Sequence, residues 1–502
     1  MLEVESMCVD VSRVGRILDD VSVWAGQGVT LVAGRSGCGS TTLLRLVAGY
    51  RDRQVVRRRG VVRLSGRRID QMSRAELRPL LTMVGHRPLG GRIDPASIGT
   101  HDVELRSVIE ELGLTRWCGT PAARMPACVA ARMALVEGIA SEAPVLLLDQ
   151  VLAPMTSMWR SRAASCIARV ARAGRIVVWA EHALEHALGV ADSVVEIVDG
   201  HVQQTAAPSW SSSQLPPTPL QQIAARSGEQ FFTDPAQARD LLAAEAVTAM
   251  SCAHPQQSEG PILTRVDPAD LRLSGRLVDV RAGQVLGVVS HDPVQAHRVA
   301  RRLAATVNPP CPEDRLLRTL LRQTSVRRAC ELVDRRSDRP IGASMELADE
   351  VLGPVGARRG VEHGEGQQRL LADVLACAGG EVVLWIDPGW AVDAASGDRL
   401  VKAVRQRGAA VIMACRDVDL VARWCDRVLV VDEHEVVADG RPGSVVDDLP
   451  CPPQVAQVFP GCHVVRATDL TLVPGADAVA EGGWAHAQLC LLYTSPSPRD
   501  RT

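Results

Sequence analysis

Short, unbroken apolar runs recur along the chain, separated by segments of amphipathic helical character. The first, residues 29–33, follows the turn Gly26-Gln27-Gly28, and residues 285–289 follow Gly283-Gln284 in the same way. Residues 145–148 then run into Asp149, and residues 382–386 run into Asp387. After a helix each series continues with a further apolar run, 176–180 and 410–414, and ends in a strand with a polar turn, 194–200 and 428–433. Strands apolar at every position are covered on both faces, as in parallel sheets flanked by helices. The same order of signals twice over marks an internal duplication. The predicted fold class is α/β, twice, with mostly parallel sheets.

This pattern divides the chain into a first domain over 1–203, a linker over 204–260, a second domain over 261–447 and a C-terminal extension over 448–490. The linker is rich in Gln, Ser, Pro and Ala, and Ser211-Ser212-Ser213 and Pro216-Pro217 mark it as loop. Within it, residues 235–250 have helical composition. Residues 491–502 break sharply from the Arg/Ala/Val-rich style before them and read as a sequence scar, outside the fold.

With 502 residues the chain is long enough for two or three domains, and 46% apolar with 23% charged residues is ordinary for a soluble globular protein. No run of eighteen apolar residues encodes a membrane helix, and residues 1–10 lack the shape of a signal peptide, so a cytoplasmic location is expected. The 14 cysteines include no Cys-x-x-Cys pair, which argues against a zinc ribbon and a disulfide framework alike. A net charge of -2 gives no reason to expect a nucleic-acid partner. The one basic stretch, residues 51–68 with Arg57, Arg58 and Arg59, reads as a solvated strand-and-turn face. Lys402 is the only lysine, a fact that bears on the chemistry below.

Gly34, Arg35, Ser36, Gly37, Cys38, Gly39, Ser40, Thr41 and Thr42 follow an apolar strand and open a helix. A phosphate-binding loop needs this context: glycines let successive backbone N–H groups turn inward around anionic oxygens, and the helix N-terminus adds partial positive charge. The position that should hold lysine is Ser40, which leaves Arg35 as the nearest substitute cation. A charge-assisted hydrogen bond contributes about 1.5–3 kcal/mol, so its loss lowers phosphate affinity roughly ten- to a hundredfold.

The loop resembles that of the ATP-binding-cassette family. That resemblance implies two P-loop NTPase domains in tandem, with ATP and Mg²⁺ as cofactors. Asp149 matches the Walker B aspartate, and Thr41, Asp149 and His86, at the Q-loop position, fall on the magnesium side. Gln150 stands where the catalytic glutamate belongs; it can orient a water but cannot accept its proton. His182 matches the switch histidine. The first signature loop, Met125-Pro126-Ala127-Cys128-Val129, keeps nothing of the family's pattern.

The second loop, residues 290–298, has no glycine, no lysine and no magnesium hydroxyl; Pro293 removes an amide donor and Asp292 puts negative charge where phosphate would lie. Asp387 is aligned with the Walker B aspartate, with the following glutamate deleted before Pro388. Asp393 matches the D-loop aspartate, and Arg416 replaces the switch histidine. The signature is better kept: Gly364, Glu365, Gly366 and Gln367 resemble the variant found in the second half of fused energy-coupling-factor ATPases, as do residues 437–442 and 452–460.

Cassettes of this family pair head to tail, so the recognisable elements (residues 34–42, Asp149, His182 and 364–367) fall in one composite site of an internal pseudo-dimer. The resemblance implies a peripheral subunit on the cytoplasmic membrane face that energises solute uptake through an integral membrane transporter component. A catalytically inactive, nucleotide-gated or inert scaffold is the alternative. A soluble cassette acting on ribosomes or DNA is disfavoured, because the linker is not a basic helical arm.

Overall fold

The computed structural model describes residues 1–12, 15–50, 55–85, 103–121, 124–229, 231–244, 248–251, 260–306, 314–353, 355, 365–379, 381–388 and 392–473. The first half is built on a six-stranded sheet. In spatial order its strands are His201–Ala206, Ser193–Val198, Gly28–Gly34, Ile176–Ala180, Val145–Asp149 and Leu81–Gly85. All neighbours are parallel except the first pair. Alternation along each strand shows why the runs are apolar throughout. Val29, Leu31, Ala33, Leu146, Leu148, Val177 and Trp179 join one core, packed by helices. Val32, Val145, Leu147, Ile176, Val178 and Ala180 join another, with the helix Ser40–Val47 and an antiparallel sheet that includes Leu2–Val11 and Gly15–Ala25.

The second half repeats this plan with a five-stranded sheet: Glu435–Gly440, Arg427–Asp432, Val285–Val289, Ala410–Ala414 and Val382–Ile386. Its two faces are likewise both covered. Among the described residues, nothing in it corresponds to the edge strand Leu81–Gly85.

The stretch read from composition as a linker is largely folded. Thr218 opens the helix Pro219–Ser227 with a capping box, and a second helix spans Pro235–Ala244. The expected helix does not continue to residue 250; Thr248–Ser251 is instead a strand, paired antiparallel with Leu470–Val473 at the far end of the chain. Leu220, Ile223, Phe232 and Leu242 share a core with Val455, Val458, Phe459, Leu470 and Leu472. The segment between the halves and the C-terminal extension thus make one clasp.

Candidate functional site

The strand Gly28–Gly34 delivers its chain into the glycine-rich loop, and the helix Ser40–Val47 begins directly after it. Gly37 and Gly39 have φ of 91° and 103°, in the left-handed region where glycine alone is unstrained. Gly37 has a second requirement. A Cβ there would lie 2.2 Å from Nε2 of Gln367, so the second half presses this glutamine onto the loop of the first. Gln367 Nε2 also donates to the Ser36 carbonyl at 3.4 Å. The helix Glu365–Gly379 presents this glutamine from its first turn. Gly364 and His86 lie outside the described residues.

Asp393 seals the same seam. It caps the helix Ala394–Gln406 by accepting from the Ser396 amide, while its other carboxylate oxygen accepts from the Ser36 amide at 2.8 Å. Its own amide donates to Ser36 Oγ at 3.0 Å. Burial works against the Asp393 charge, yet the amide bonds from Ser36 and Ser396 and the nearby His182 hold its pKa below the ordinary range.

Inside the first half, Thr41 Oγ1 donates to Asp149 Oδ1 at 2.9 Å, joining the helix start to the end of the strand Val145–Asp149. Gln150 and His182 meet through their side-chain nitrogens at 3.3 Å. Glu181, buried beside them, fixes the turn by accepting from the amides of Leu152, His182 and Ala183. The donor set suits a bound phosphate and a hard divalent cation: a glycine-rich loop running into a helix start for the first, a hydroxyl and a carboxylate for the second. No cluster of three or more His, Cys, Asp or Glu side chains that could hold a metal occurs among the described residues. Leu215, Pro216 and Thr218 wall a crevice shared with Gly34, His182 and Asp393. Composition gave no sign that this segment reaches the site.

The second half differs from expectation at its strand end. Sheet register pairs Asp149 with Ala180 and Ile386 with Ala414, and the next amides, those of Gln150 and Asp387, donate to the same two carbonyls at 2.8 Å. Gln150 and Asp387 also share a positive φ, 52° and 50°. Ile386 therefore corresponds to Asp149 of the first half, and Asp387 to Gln150, not to Asp149 as the sequence alignment expected. No residue is deleted before Pro388. The carboxylate is engaged, with Arg416 Nε and His297 Nε2 each 3.1 Å from Oδ2. Burial opposes its charge, but His297, Arg416 and Arg369 hold its pKa below the usual value.

The second phosphate loop is also physically shorter. The amides of Val29 and Val285 are anchored alike, on Asp192 and Asp426, which equates Gly34 with Ser290. Arg35 to Gly39 separate that position from the helix in the first half; only His291 and Asp292 do so before the helix Pro293–Ala305. Asp292 Oδ1 accepts from the Val294 amide at 3.0 Å, so a carboxylate of the chain itself occupies the helix start. In the first half, the helix Ala127–Ala140 opens at Pro126 without a side-chain cap.

Residues 18–153 match the family model described as ABC transporter. The spermidine/putrescine import ATP-binding protein of Bacteroides thetaiotaomicron is 27% identical over 227 residues, covering 41% of this chain and 48% of the relative. The chain spans about half the length of the first curated relatives it matches. A ribose import ATP-binding protein of Streptomyces coelicolor is 25% identical over 470 residues, covering 84% of this chain and 88% of the relative. Among solved structures, an archaeal ribosome recycling factor, crystallised with a ribosomal stalk protein, superposes with a TM-score of 0.55 at 14% identity over 94% of this chain and 97% of that one. The RNase-L inhibitor gives 0.54 at 14% identity, covering 95% and 98%. At that identity the two structures speak to fold alone: two cassettes in one polypeptide. The family model over residues 18–153, the relative spanning most of the chain and the duplicated fold agree: the chain is similar to tandem ATP-binding-cassette proteins.

Proposed function

We propose that this chain is the ATP-binding subunit of an importer, taking up Mg-ATP at one composite site and energising or gating an integral membrane component from the cytoplasmic face. The observation that supports this best is the contrast between the two seams. Around Gly37 the loop, the Thr41–Asp149 pair and Gln367 converge, whereas the opposite loop carries its own Asp292 carboxylate at the helix start. Among the described residues no helix is long and apolar enough to cross a membrane.

In this reading the loop 34–42 holds the phosphates through amides other than those of Ser36 and Cys38, which are engaged by Asp393 and the Arg35 carbonyl, while Thr41 and Asp149 hold Mg²⁺, with His86 on the same side. The bound metal supplies charge neutralisation at the phosphate oxygens. Gln150, steadied by His182, orients a water without taking its proton, which makes turnover slow. The energy-coupling-factor branch is favoured by residues 364–367, 437–442 and 452–460. The ribose import relative, which spans most of the chain, makes a sugar importer the competing assignment. The second functional reading, a pseudo-ATPase scaffold, is favoured by Ser40 and Gln150.

The test is a melting curve of the full chain with and without Mg-ATP. Saturation at a hundred times Kd stabilises the folded state by about 2.7 kcal/mol, and Gly39→Asp removes the shift by setting a carboxylate in the anion site. A flat response at millimolar Mg-ATP leaves the scaffold reading standing.

A further inference from the structure

The phosphate loop has no cation at position 40, where the buried Ser40 stands. A chain of hydrogen bonds leads from that loop to a cation of the other half. The Ser36 amide donates to Asp393 Oδ2, Ser396 Oγ donates to the same oxygen at 2.9 Å, and Arg399 Nη2 donates to Ser396 Oγ at 3.0 Å. Arg35 stands next to Ser36 on the loop itself. The Nε atoms of Arg35 and Arg399 are both buried and have no hydrogen-bond partner. Neighbouring carboxylates are already engaged. Asp393 accepts from Ser36 and Ser396, and Asp398 accepts from Arg423 and Trp424.

We propose that Arg399, delivered across the domain seam, acts with Arg35 as the phosphate cation of the first-half site in place of the absent lysine. This rests on the nucleotide reading above. Two guanidinium groups on one hydrogen-bonded seam, each with an unmet buried donor, are complementary to a polyanion, and the guanidinium fork matches phosphate geometry. Without an anion the arrangement disfavours charge: burial and the neighbouring Arg35 both lower the Arg399 pKa. A triphosphate relieves that repulsion. Since Arg399 belongs to the second half, its contact exists only when the seam is closed, so phosphate binding and closure become one event.

Binding of Mg-ATP and of adenosine to the full chain is measured by titration calorimetry for wild type, Arg399→Ala, Arg399→Lys, Ser40→Lys and the Ser40→Lys/Arg399→Ala double variant. Arg399→Ala weakens Mg-ATP by about tenfold or more, leaves adenosine unchanged, and is partly rescued by Arg399→Lys. In the Ser40→Lys background the same alanine change costs less than about threefold, because a lysine now supplies the charge. Arg399→Gln serves for the comparison if the alanine variant does not fold. Equal Mg-ATP affinity of wild type and Arg399→Ala overturns the assignment. So does an undiminished loss in the Ser40→Lys background, which marks a purely structural arginine. Absence of Mg-ATP binding by the wild type overturns the nucleotide reading itself.

Discussion

Single residues set what the first-half site can do. On the nucleotide reading, Ser40 offers phosphate a hydroxyl in place of a charge, and Gln150 meets His182 without a basic oxygen to take a proton. ATPase activity of the purified chain is therefore expected near background, and Ser40→Lys with Gln150→Glu is expected to raise it; steady-state turnover of both proteins checks this. Robust wild-type turnover abolished by Asp149→Ala would refute the argument. The equivalent corner of the second half is occupied by an internal ion pair, and Arg416 continues across the seam to the Pro154 carbonyl at 3.0 Å. Arg416→Ala removes the guanidinium paired with the buried Asp387 carboxylate, leaving His297 and the charge of Arg369, and is expected to cost about 3 kcal/mol in urea unfolding. Asp387→Asn in the same background should recover part of that loss. The local setting of Gly34 to Thr42, Asp149 and His182 was legible in the sequence, because a loop between an apolar strand and a helix, a strand end and the residue after a strand are short-range patterns. The role of Asp387 was not, since only pairing with Ala414 shows which of two adjacent residues ends the strand.

At the scale of elements, apolar runs announced four strands of each sheet, because burial on two faces demands apolar side chains at successive positions, but not Leu81–Gly85, His201–Ala206 or Glu435–Gly440. The clasp escaped notice for the opposite reason. Its polar, proline-rich composition reads as loop, and the apolar residues that complete its core lie beyond residue 450. Shortening of the second phosphate loop was equally hidden, because it appears only when Val29 and Val285 are equated through Asp192 and Asp426. The clasp is testable by one substitution. Phe232 is 2% exposed and packs in the shared core. Phe232→Ala should cost about 3 kcal/mol in urea unfolding, the loss expected of a core aromatic. A surface-like change below about 0.5 kcal/mol would mean that the segment is a tether and the clasp does not form.

Across the whole molecule, the halves are joined at the degenerate seam by buried polar groups. Arg160 of the first half pairs with Asp417 of the second, and the Val418 amide donates to Ser157 Oγ at 3.3 Å. His186 Nε2 stands 4.0 Å from Asp419 Oδ2. Gln454 of the C-terminal extension ties the group together, its amide donating to Asp419 Oδ1 and its side chain to the Glu185 carbonyl, both at 2.7 Å. Two neighbours here titrate in opposite senses. Burial, then the charge of Asp417, pushes the Glu185 carboxyl up to about 7. Burial, then Arg160, pushes the His186 imidazole down to about 4. Between pH 4.5 and 7 the folded protein holds a proton on Glu185 that the unfolded chain has released, so this group's contribution falls as pH rises. Between pH 4 and 6.5 the folded protein lacks a proton on His186 that the unfolded chain holds, so this contribution falls as pH drops. Asp419, pushed up by burial and by Asp417, adds to the Glu185 sense. The variants separate these slopes. Relative to wild type, Glu185→Gln should gain melting temperature as pH rises through the upper window, and His186→Asn should gain it as pH falls through the lower one. Melting curves of the three proteins from acid to neutral pH decide the matter. Curves that stay parallel throughout would show that neither group changes its proton affinity on folding, and that the seam is held by Arg160 and Asp417 without them.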